Sequence, residues 1–311
     1  MAATNVRHFL SMKDISRTEC ERLIDRAEEF RKDREALRRR APFAGRTLAM
    51  LFQKPSLRTR VSFETGMTLM GGHAIYLGPE QSRLGERESV EDFARVLCRY
   101  ASMIMARVFG HDIVEGLAKY SDVPVINGLS DFEHPCQILA DLQTIRARLG
   151  GVSGVTLAFI GDGNNVAHSL LLGGALVGMN VVVACPKGFE PAAGVLRDAA
   201  ELGRASGASV RVVHDPLEGA TGADVLYTDV WASMGQEAEA AERREKFKGF
   251  QVNERLVAAA SKRAIILHCL PAHYGEEIDY AASRLPCSAI FDQAENRMHA
   301  QNALMAMLMG V

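Results

Sequence analysis

The sequence predicts an α/β fold with two parallel-sheet domains, and three observations support this. Short apolar runs alternate with helical patterns, which is typical of parallel strands joined through helices. A helix-stop signal at Gly150-Gly151 separates a first series of these elements from a second. The length of 311 residues suits two domains of about 150 residues each. We therefore place the domain boundary after residue 150.

The first domain, residues 1–150, opens with an amphipathic helix. Apolar residues recur there at helical spacing among charges between Ile15 and Arg40. Further along, apolar runs predict strands and the stretches between them predict helices. Strands are expected at residues 48–52, 74–77, 103–106 and 123–126, and helices near 59–71, 90–100 and 112–120.

The second domain, residues 151–293, follows a long helix predicted from His134 to about Leu149. Its first strand is expected at residues 155–160, where the apolar run resumes. Further strands are expected at 181–184, 210–213, 225–227 and 264–267, and the last segment, from about 294 to 309, has helical composition. The second half of the chain thus repeats the alternation of the first.

Composition and charge exclude several classes of protein. Apolar residues make up 48% and charged residues 24%, which excludes a disordered or fibrous chain. A net charge of -2 gives no basic footprint, so nucleic acid is not an expected partner. No stretch approaches 18 consecutive apolar residues and the N-terminus lacks a secretory signal, so we expect no membrane partner.

The cysteines indicate a reducing compartment. Six are scattered along the chain without a C-x-x-C pair. This spacing fits reduced thiols in a cytoplasmic protein better than a disulfide framework or a zinc site. We therefore expect a cytoplasmic protein without a bound metal.

The first motif, residues 54–60 with sequence KPSLRTR, follows an apolar strand and precedes a helix expected to start near Thr59. Free N–H groups at a helix start bind anions, and hydroxyls of Ser56 and Thr59 with the guanidinium of Arg58 would complete a phosphate site. A capped helix start with solvated basic side chains is the alternative interpretation.

The second motif, residues 131–137 with sequence DFEHPCQ, precedes the long helix of the first domain. Pro135 fits the first helical turn, which places His134 and Gln137 at the carboxyl end of the preceding strand. Open α/β sheets bind ligands at that edge. A surface or capping role for His134 is the alternative.

The third motif, GDGNN at residues 161–165, superficially offers a dinucleotide loop. The glycine spacing is completed by Val166, where a small residue is needed, and no acidic residue closes the next strand. We therefore reject a nicotinamide cofactor and expect no cofactor at all. Asn164 and Asn165 carry donors and acceptors that suit a zwitterionic small molecule.

The fourth and fifth motifs each follow a predicted strand. They are DVWASMGQE at residues 229–237, with the single tryptophan Trp231, and HCLPAH at residues 268–273. Polar residues and a thiol at strand ends favour a binding site over plain turns. The alternative for Cys269 is a small buried apolar residue.

In this order, the motifs S-x-R-T-R, H-P-x-Q, D-x-x-x-S-M-G and H-C-L-P resemble those of the ornithine carbamoyltransferase family. The resemblance extends over nearly the whole chain. It implies two doubly wound parallel-sheet domains joined by interdomain helices, the C-terminal helix 294–311 completing the first domain. It also implies homotrimers or multiples of trimers.

The resemblance implies a site residue by residue. Carbamoyl phosphate contacts fall on Ser56, Leu57, Arg58, Thr59, Arg107, His134, Gln137, Cys269, Leu270 and Arg297. Ornithine contacts fall on Asn165, Asp229, Ser233 and Met234. Catalytic roles fall on Arg58, Arg107, His134 and Cys269.

The acceptor rests on the last two motifs, because aspartate carbamoyltransferases share the first two. The loop at residues 81–86 lacks the lysine typical of the aspartate branch. The alternatives are an enzyme for acetylornithine, putrescine or aspartate, and a non-catalytic ligand-binding homologue. The chain departs from frequent family residues at Gln53, Tyr274, Gln293 and Asn302, and Tyr274 lies close to the acceptor motif in sequence.

Overall fold

The computed structural model describes residues 7–81, 84, 88–232 and 239–311. The chain divides into two compact units: unit 1 comprises Met1–Ala140 and Asn296–Val311, and unit 2 comprises Asp141–Glu295. The expected α/β class with two parallel-sheet domains is confirmed.

Unit 1 alternates helices and strands as the sequence pattern predicts. Its strands are β1 (Thr47–Phe52), β2 (His73–Leu77), β3 (Met103–Arg107) and β4 (Val125–Leu129). Its helices are α1 (Arg17–Lys32), α2 (Arg34–Arg40), α3 (Leu57–Leu69), α4 (Val90–Tyr100) and α5 (His111–Tyr120), and α6 (Pro135–Leu149) begins in it.

Unit 2 carries the second series of elements. Its strands are β5 (Thr156–Ile160), β6 (Asn180–Ala184), β7 (Val210–Val213), β8 (Val225–Thr228) and β9 (Ile265–His268). Its helices are α7 (Asn165–Val177), α8 (Ala193–Ser206), α9 (Pro216–Ala220), α10 (Ala240–Lys246) and α11 (Glu254–Ala259), followed by α12 (Ile290–Leu308), which continues into unit 1.

The single helix expected between Ile15 and Arg40 is two helices, and that prediction was wrong. Asp33 ends α1 and begins α2 with non-helical backbone angles of φ -133 and ψ 74. Its carboxylate accepts a hydrogen bond from the N–H of Ala36 at 2.8 Å, which caps the second helix. Aspartate favours such caps over helix interiors because its side chain competes for backbone N–H groups.

Both sheets are parallel and reverse their strand order at one point. The order is β2-β1-β3-β4 in unit 1 and β7-β6-β5-β8-β9 in unit 2. The chain runs outward from β1 or β5 and then returns to add strands on the other side. Ligands bind in such sheets beyond the carboxyl ends of the strands at the reversal. The expected ligand-binding positions therefore follow β1 and β3 in unit 1, and β5 and β8 in unit 2.

The central strands are buried apolar runs. Residues Leu48–Phe52 of β1 and all of β3 are buried, including Arg107 at the end of β3. A strand buried on both faces needs apolar side chains in succession, which is why periodicity of two is absent here. Arg107 is the exception, and it stands at the edge where ligands bind.

A bulge opposite the end of β3 requires glycine. The pairing with β4 shifts between Ala106 and Arg107, so that Arg107 pairs with Leu129 and Gly128 is passed over. A Cβ atom on Gly128 would lie 2.5 Å from the sulfur of Met105. Glycine therefore permits the irregularity that precedes the second motif.

Among the described residues, no helix is long and apolar enough to span a bilayer.

Candidate active site

The start of α3 in unit 1 has the geometry of an anion site. Ser56 is the N-cap, and its hydroxyl accepts from the N–H of Thr59 at 3.4 Å and donates to the hydroxyl of Thr59 at 3.2 Å. The helix begins at Leu57, two residues before the expected Thr59. A capped helix start presents its remaining N–H groups and its positive dipole end to an anion.

Arg297 from α12 completes this helix start. Its guanidinium donates to the hydroxyl of Thr59 at 2.7 Å, and both side chains are buried. The structure thus brings together two predicted ligands separated by 238 residues in sequence. A buried guanidinium needs anionic or polar partners, so the cation is suited to a phosphate group.

His134 stands in the electrostatic field of two arginines. Burial holds the pKa of its imidazole well below the usual range, and the positive charges of Arg297 and Arg107 lower it further. Because those charges act on His134, all three predicted residues belong to one buried cluster of unit 1. The imidazole is neutral at pH 7, so it can donate a hydrogen bond without adding a charge.

The loop before α6 fixes His134 in place. The hydroxyl of Ser130 accepts from the N–H of Phe132 at 3.3 Å and from that of Glu133 at 3.1 Å. The carboxylate of Glu133 in turn accepts from the N–H of Met12 at 3.3 Å. These contacts were not foreseen from the sequence.

The other predicted residues of unit 1 differ in exposure. Gln137 is fully buried, Arg58 is half-buried, and Leu57 is 74% exposed. Lys54, which the sequence analysis named only as part of its motif, lies with Nζ 4.4 Å from the ring centroid of Phe109. Because a cation over an aromatic face is stabilised, this contact ties the loop after β1 to the loop after β3.

Gln53, one of the departures, makes a second tie between these loops. Its side-chain oxygen accepts from the N–H of Phe109 at 3.0 Å. The carbonyl acceptor of glutamine serves here as a carboxylate would, but without adding a negative charge beside the basic cluster.

In unit 2, Asp229 joins three of the predicted motifs. Its carboxylate accepts from the side-chain amide of Asn164 at 3.0 Å and from the thiol of Cys269 at 2.9 Å. The loops after β5, β8 and β9 therefore converge on one carboxylate. Asn165, the predicted ligand, is the first residue of α7, and Asn164 caps that helix through the N–H groups of Val166 and Ala167.

The glycines of the third motif serve local packing. The N–H of Gly163 donates to the carbonyl of Phe189 at 2.9 Å. A Cβ atom on Gly163 would collide with the backbone of residues 189–191. Close backbone approach therefore explains this glycine.

Trp231, named above as part of the fourth motif, packs in the core of unit 2. It is 6% exposed and its ring stacks on Phe247 with 5.8 Å between centroids. Its carbonyl accepts from Arg243 at 3.0 Å, and Arg243 also binds Asp162 at 2.7 Å. Ser233 and Met234, the remaining predicted ornithine ligands, lie outside the described residues.

The turn after β9 has unusual backbone geometry. Leu270 has φ +58, a left-handed conformation that costs a non-glycine residue about 1–3 kcal/mol. The structure therefore holds Cys269 and Leu270, both predicted ligands, in a turn that other contacts must maintain.

Gln293, another departure, sits at the centre of a buried network. Its amide nitrogen donates to Asp141 at 2.7 Å and to the hydroxyl of Tyr227 at 3.1 Å, while its oxygen accepts from the N–H of His268 at 2.8 Å. A glutamate here would set its carboxylate against Asp141. Burial raises the pKa of Tyr227 well above its usual range, and the Asp141 charge adds to this, so the phenol stays protonated.

The other two departures lie in different surroundings. Asn302 is buried in unit 1 and packs against Gly66 of α3. A Cβ atom on residue 66 would collide with the side-chain oxygen of Asn302. Tyr274 is 43% exposed and packs edge-on against Tyr280 with 5.2 Å between ring centroids. A small residue at position 66 therefore matches the asparagine, whereas Tyr274 belongs to a surface aromatic pair.

A metal ion would compete with existing hydrogen bonds. In the described part of the chain, Asp229, His268 and Cys269 offer ligand atoms within 4.8 Å of one another, and so do His273, Glu276 and Glu277. In the first group, both oxygens of Asp229 and both ring nitrogens of His268 already have partners. The expectation of no bound metal stays a prediction.

Comparison with known proteins relates the chain to one family. A family model described as the aspartate/ornithine carbamoyltransferase, carbamoyl-P binding domain matches residues 7–147, and its Asp/Orn binding domain counterpart matches residues 153–308. A protein from Acidothermus cellulolyticus named ornithine carbamoyltransferase is 53% identical over 305 residues, covering 98% of this chain and 97% of the relative.

Two further relatives come from Pyrococcus furiosus. A protein named ornithine carbamoyltransferase, anabolic, is 50% identical over 304 residues, covering 98% of this chain and 96% of the relative. A solved structure titled ornithine carbamoyltransferase matches with a TM-score of 0.95 and 49% identity, covering 100% of this chain and 99% of that one.

The lowered pKa of His134 predicts a pH-dependent stability. The folded protein keeps the imidazole neutral, whereas the unfolded chain takes up a proton below about pH 6.5. Stability from this group is therefore present above pH 6.5 and lost as pH falls. Between pH 6.5 and 5, this group should lower the free energy of unfolding of the parent by up to about 1.4 kcal/mol per pH unit. His134→Gln should lack this contribution, so its free energy of unfolding should fall less steeply with pH.

Urea unfolding at a series of pH values measures this difference. His73→Gln, at an exposed position, is the matched control and should give a stability curve parallel to that of the parent. A His134→Gln curve that also runs parallel to the parent would contradict the assignment.

Proposed function

The chain belongs to the aspartate/ornithine carbamoyltransferase family, and we propose that it transfers the carbamoyl group of carbamoyl phosphate to the side-chain amine of L-ornithine. The products are L-citrulline and phosphate. The observation that supports this most strongly is the buried cluster of Thr59, Arg107, His134 and Arg297 in unit 1. Its charges and donors match a phosphate dianion attached to a carbonyl group.

The phosphate is proposed to bind at the start of α3. Ser56, Leu57, Arg58 and Thr59 supply the helix start and its side chains, and Arg107 and Arg297 supply buried positive charge. Negative charge grows on this phosphate as it leaves, so the same groups that bind it also stabilise the transition state. Gln137, Cys269 and Leu270 are the remaining proposed contacts of carbamoyl phosphate.

The carbonyl oxygen is proposed to be polarised by Arg58, Thr59, Arg107 and His134. Because the pKa of His134 lies well below its usual range, its imidazole is neutral at pH 7 and can donate a hydrogen bond to this oxygen. Removing one preorganised donor of this kind typically lowers the rate by about 10²–10³.

The acceptor is proposed to bind unit 2 through Asn165, Asp229, Ser233 and Met234. The Asp229 carboxylate offers a partner for a positively charged α-amino group. Cys269 donates its thiol hydrogen to Asp229, so in this arrangement it is a hydrogen-bonding thiol rather than a thiolate. We propose that it contacts the reacting amine in that form.

Domain limits and direction complete the proposal. Residues 1–150 with the helix 294–311 would bind carbamoyl phosphate and residues 151–293 would bind ornithine, in line with the two family models. The anabolic relative favours arginine biosynthesis, although the same groups serve the reverse reaction.

Assembly and compartment follow the resemblance and the thiols. We propose a homotrimer or a multiple of trimers, to be measured as a multiple of three times 33.9 kDa by light scattering. A monomeric or dimeric mass would contradict it. None of the six cysteines, all of which lie in the described part of the chain, forms a disulfide, which supports the proposal of a reducing, cytoplasmic location.

The acceptor is tested by supplying the purified protein with carbamoyl phosphate and one amine at a time. We expect carbamoylation of L-ornithine and not of N-acetylornithine, putrescine or L-aspartate. Transfer to another of these amines would leave the phosphate half of the proposal standing and overturn the acceptor. Silence with all four would favour a non-catalytic homologue.

The role of Arg297 predicts a specific loss. Arg297→Met removes its charge and its hydrogen bond to Thr59, so kcat/KM for carbamoyl phosphate should fall about 10²–10³-fold. Arg297→Lys keeps the positive charge but loses the planar guanidinium group, so its kcat/KM should lie between those of the parent and Arg297→Met. Arg211→Met, which removes an exposed pair with Glu218, is the matched control and should leave kcat/KM unchanged. Equal activity of Arg297→Met and the control would contradict the assignment.

The nucleophile predicts an alkaline pH profile. An alkylamine with a pKa of about 10.4 costs roughly 4.6 kcal/mol to deprotonate at pH 7, so the rate should rise with pH between about 6 and 9. His134 cannot cause this rise, because its pKa lies well below the usual range. Steady-state rates with ornithine measure the profile, and a flat profile with chemistry rate-limiting would refute the neutral-amine mechanism.

A further inference from the structure

A buried histidine–glutamate pair lies behind the turn that carries Cys269 and Leu270. His268 ends β9, and its Nε2 lies 3.0 Å from Oε1 of Glu277, with both side chains fully buried. Burying an ionisable pair is unfavourable unless its hydrogen bonds are satisfied. The roles proposed above leave both residues unassigned.

The hydrogen bonds of this pair define its protonation. Nδ1 of His268 accepts from the N–H of Leu270 at 2.8 Å, so the ring hydrogen resides on Nε2 and is donated to Glu277. The same oxygen of Glu277 accepts from the N–H of His273 at 2.6 Å. Both ring nitrogens are thus engaged within the protein, and neither faces a substrate.

These bonds brace a strained turn. Leu270 adopts a left-handed conformation, which persists only where surrounding contacts over-determine it. His268 binds the N–H of Leu270, while its own N–H is held by Gln293 at 2.8 Å. Glu277 accepts the hydrogen bond from Nε2 of the same imidazole.

We infer that His268 and Glu277 are positioning residues for carbamoyl transfer, holding the Cys269–Leu270 turn through the bond from Leu270 N–H to Nδ1 of His268. This inference rests on the proposed function, in which that turn contacts the carbamoyl group and the amine. A displacement of about 1 Å in such a contact can cost about 10²-fold in rate. The pair therefore acts on turnover through geometry rather than through proton transfer.

Two amide substitutions separate the two bonds of the imidazole. The side-chain oxygen of Asn in His268→Asn reaches the position of Nδ1 and can still accept from Leu270. The longer side chain of His268→Gln reaches toward Nε2 and Glu277, and leaves the N–H of Leu270 without its acceptor. Both variants remove the imidazole and bury an amide, so general destabilisation is matched between them.

We expect His268→Gln to lower kcat about 10²-fold and His268→Asn to stay within about tenfold of the parent. The inhibition constant for inorganic phosphate should be unchanged in both, because the proposed phosphate ligands lie in unit 1. Glu277→Ala should lower kcat as His268→Gln does, and Glu277→Gln, which keeps one acceptor oxygen, should restore most of it. His214→Asn and His214→Gln, at a strand-end histidine bonded to the carbonyl of Cys185, are controls and should match the parent.

Hydrogen exchange gives a readout independent of activity. Mass spectrometry of peptides covering Cys269 and Leu270 should show protection of the Leu270 N–H in the parent and His268→Asn, and its loss in His268→Gln. Equal kcat losses in the Asn and Gln variants, a loss that only follows melting temperature, or equal protection in both would overturn the inference.

Failure of the inference and failure of the proposed function are distinguishable. If the parent carbamoylates another amine, the same kcat contrast is measured with that amine. If the parent transfers to none, the proposed function fails and so does any role in turnover. The exchange contrast would then show only that the pair braces the turn.

Discussion

Strand order is the constraint on which the candidate site of each unit depends. In each sheet the chain starts at an inner strand, builds outward on one side and then continues on the other, so the loops after the two inner strands diverge. In unit 1 these loops carry the start of α3 and the residues beyond Arg107. In unit 2 they carry Asn164 and Asp229. Residues that are remote in sequence reach one edge because the topology leaves that edge uncovered.

The two edges have opposite electrostatic character. Unit 1 buries the guanidinium groups of Arg107 and Arg297, and burial together with these two charges holds the pKa of the His134 imidazole well below its usual range. Unit 2 presents the carboxylate of Asp229, held by the neutral donors Asn164 and Cys269. A cationic site suits an anionic leaving group, and a carboxylate held by neutral donors suits an amino group. The proposed binding of carbamoyl phosphate to unit 1 and of ornithine to unit 2 is consistent with the charges at the two sheet edges.

Local signals in the sequence predicted most elements but not all of their limits. The parallel strands follow from continuous apolar runs, and the start of α6 at Pro135 follows from the preference of proline for the first helical turn. The start of α3 was expected near Thr59 and lies two residues earlier, at Leu57. The break at Asp33 was missed because apolar spacing on both sides was compatible with one helix. Short helices such as α9 and α11 were missed because five or six residues cannot show a period.

The candidate site was predictable in its residue types and not in its contacts. The motifs predicted Thr59, Asp229 and Cys269, and the family resemblance predicted Arg297, but only the folded chain shows the hydrogen bonds among these residues. The contacts of Gln53 and Glu277 could not be predicted, for a physical reason. Gln53 and Glu277 act by holding loops, and no local pattern distinguishes such a residue from a solvated one. The core position of Trp231 could not be predicted, because a bulky aromatic residue after a strand is compatible with either a core or a site.

The hydrogen bond between Thr59 and Arg297 has a consequence for folding. It joins residues 238 positions apart in sequence, so it is a non-local contact whose formation costs closure entropy. Affinity for an anion at the start of α3 therefore arises only when the first and last parts of unit 1 have come together. A ligand that binds there would stabilise only the form of the protein in which these two parts are in contact.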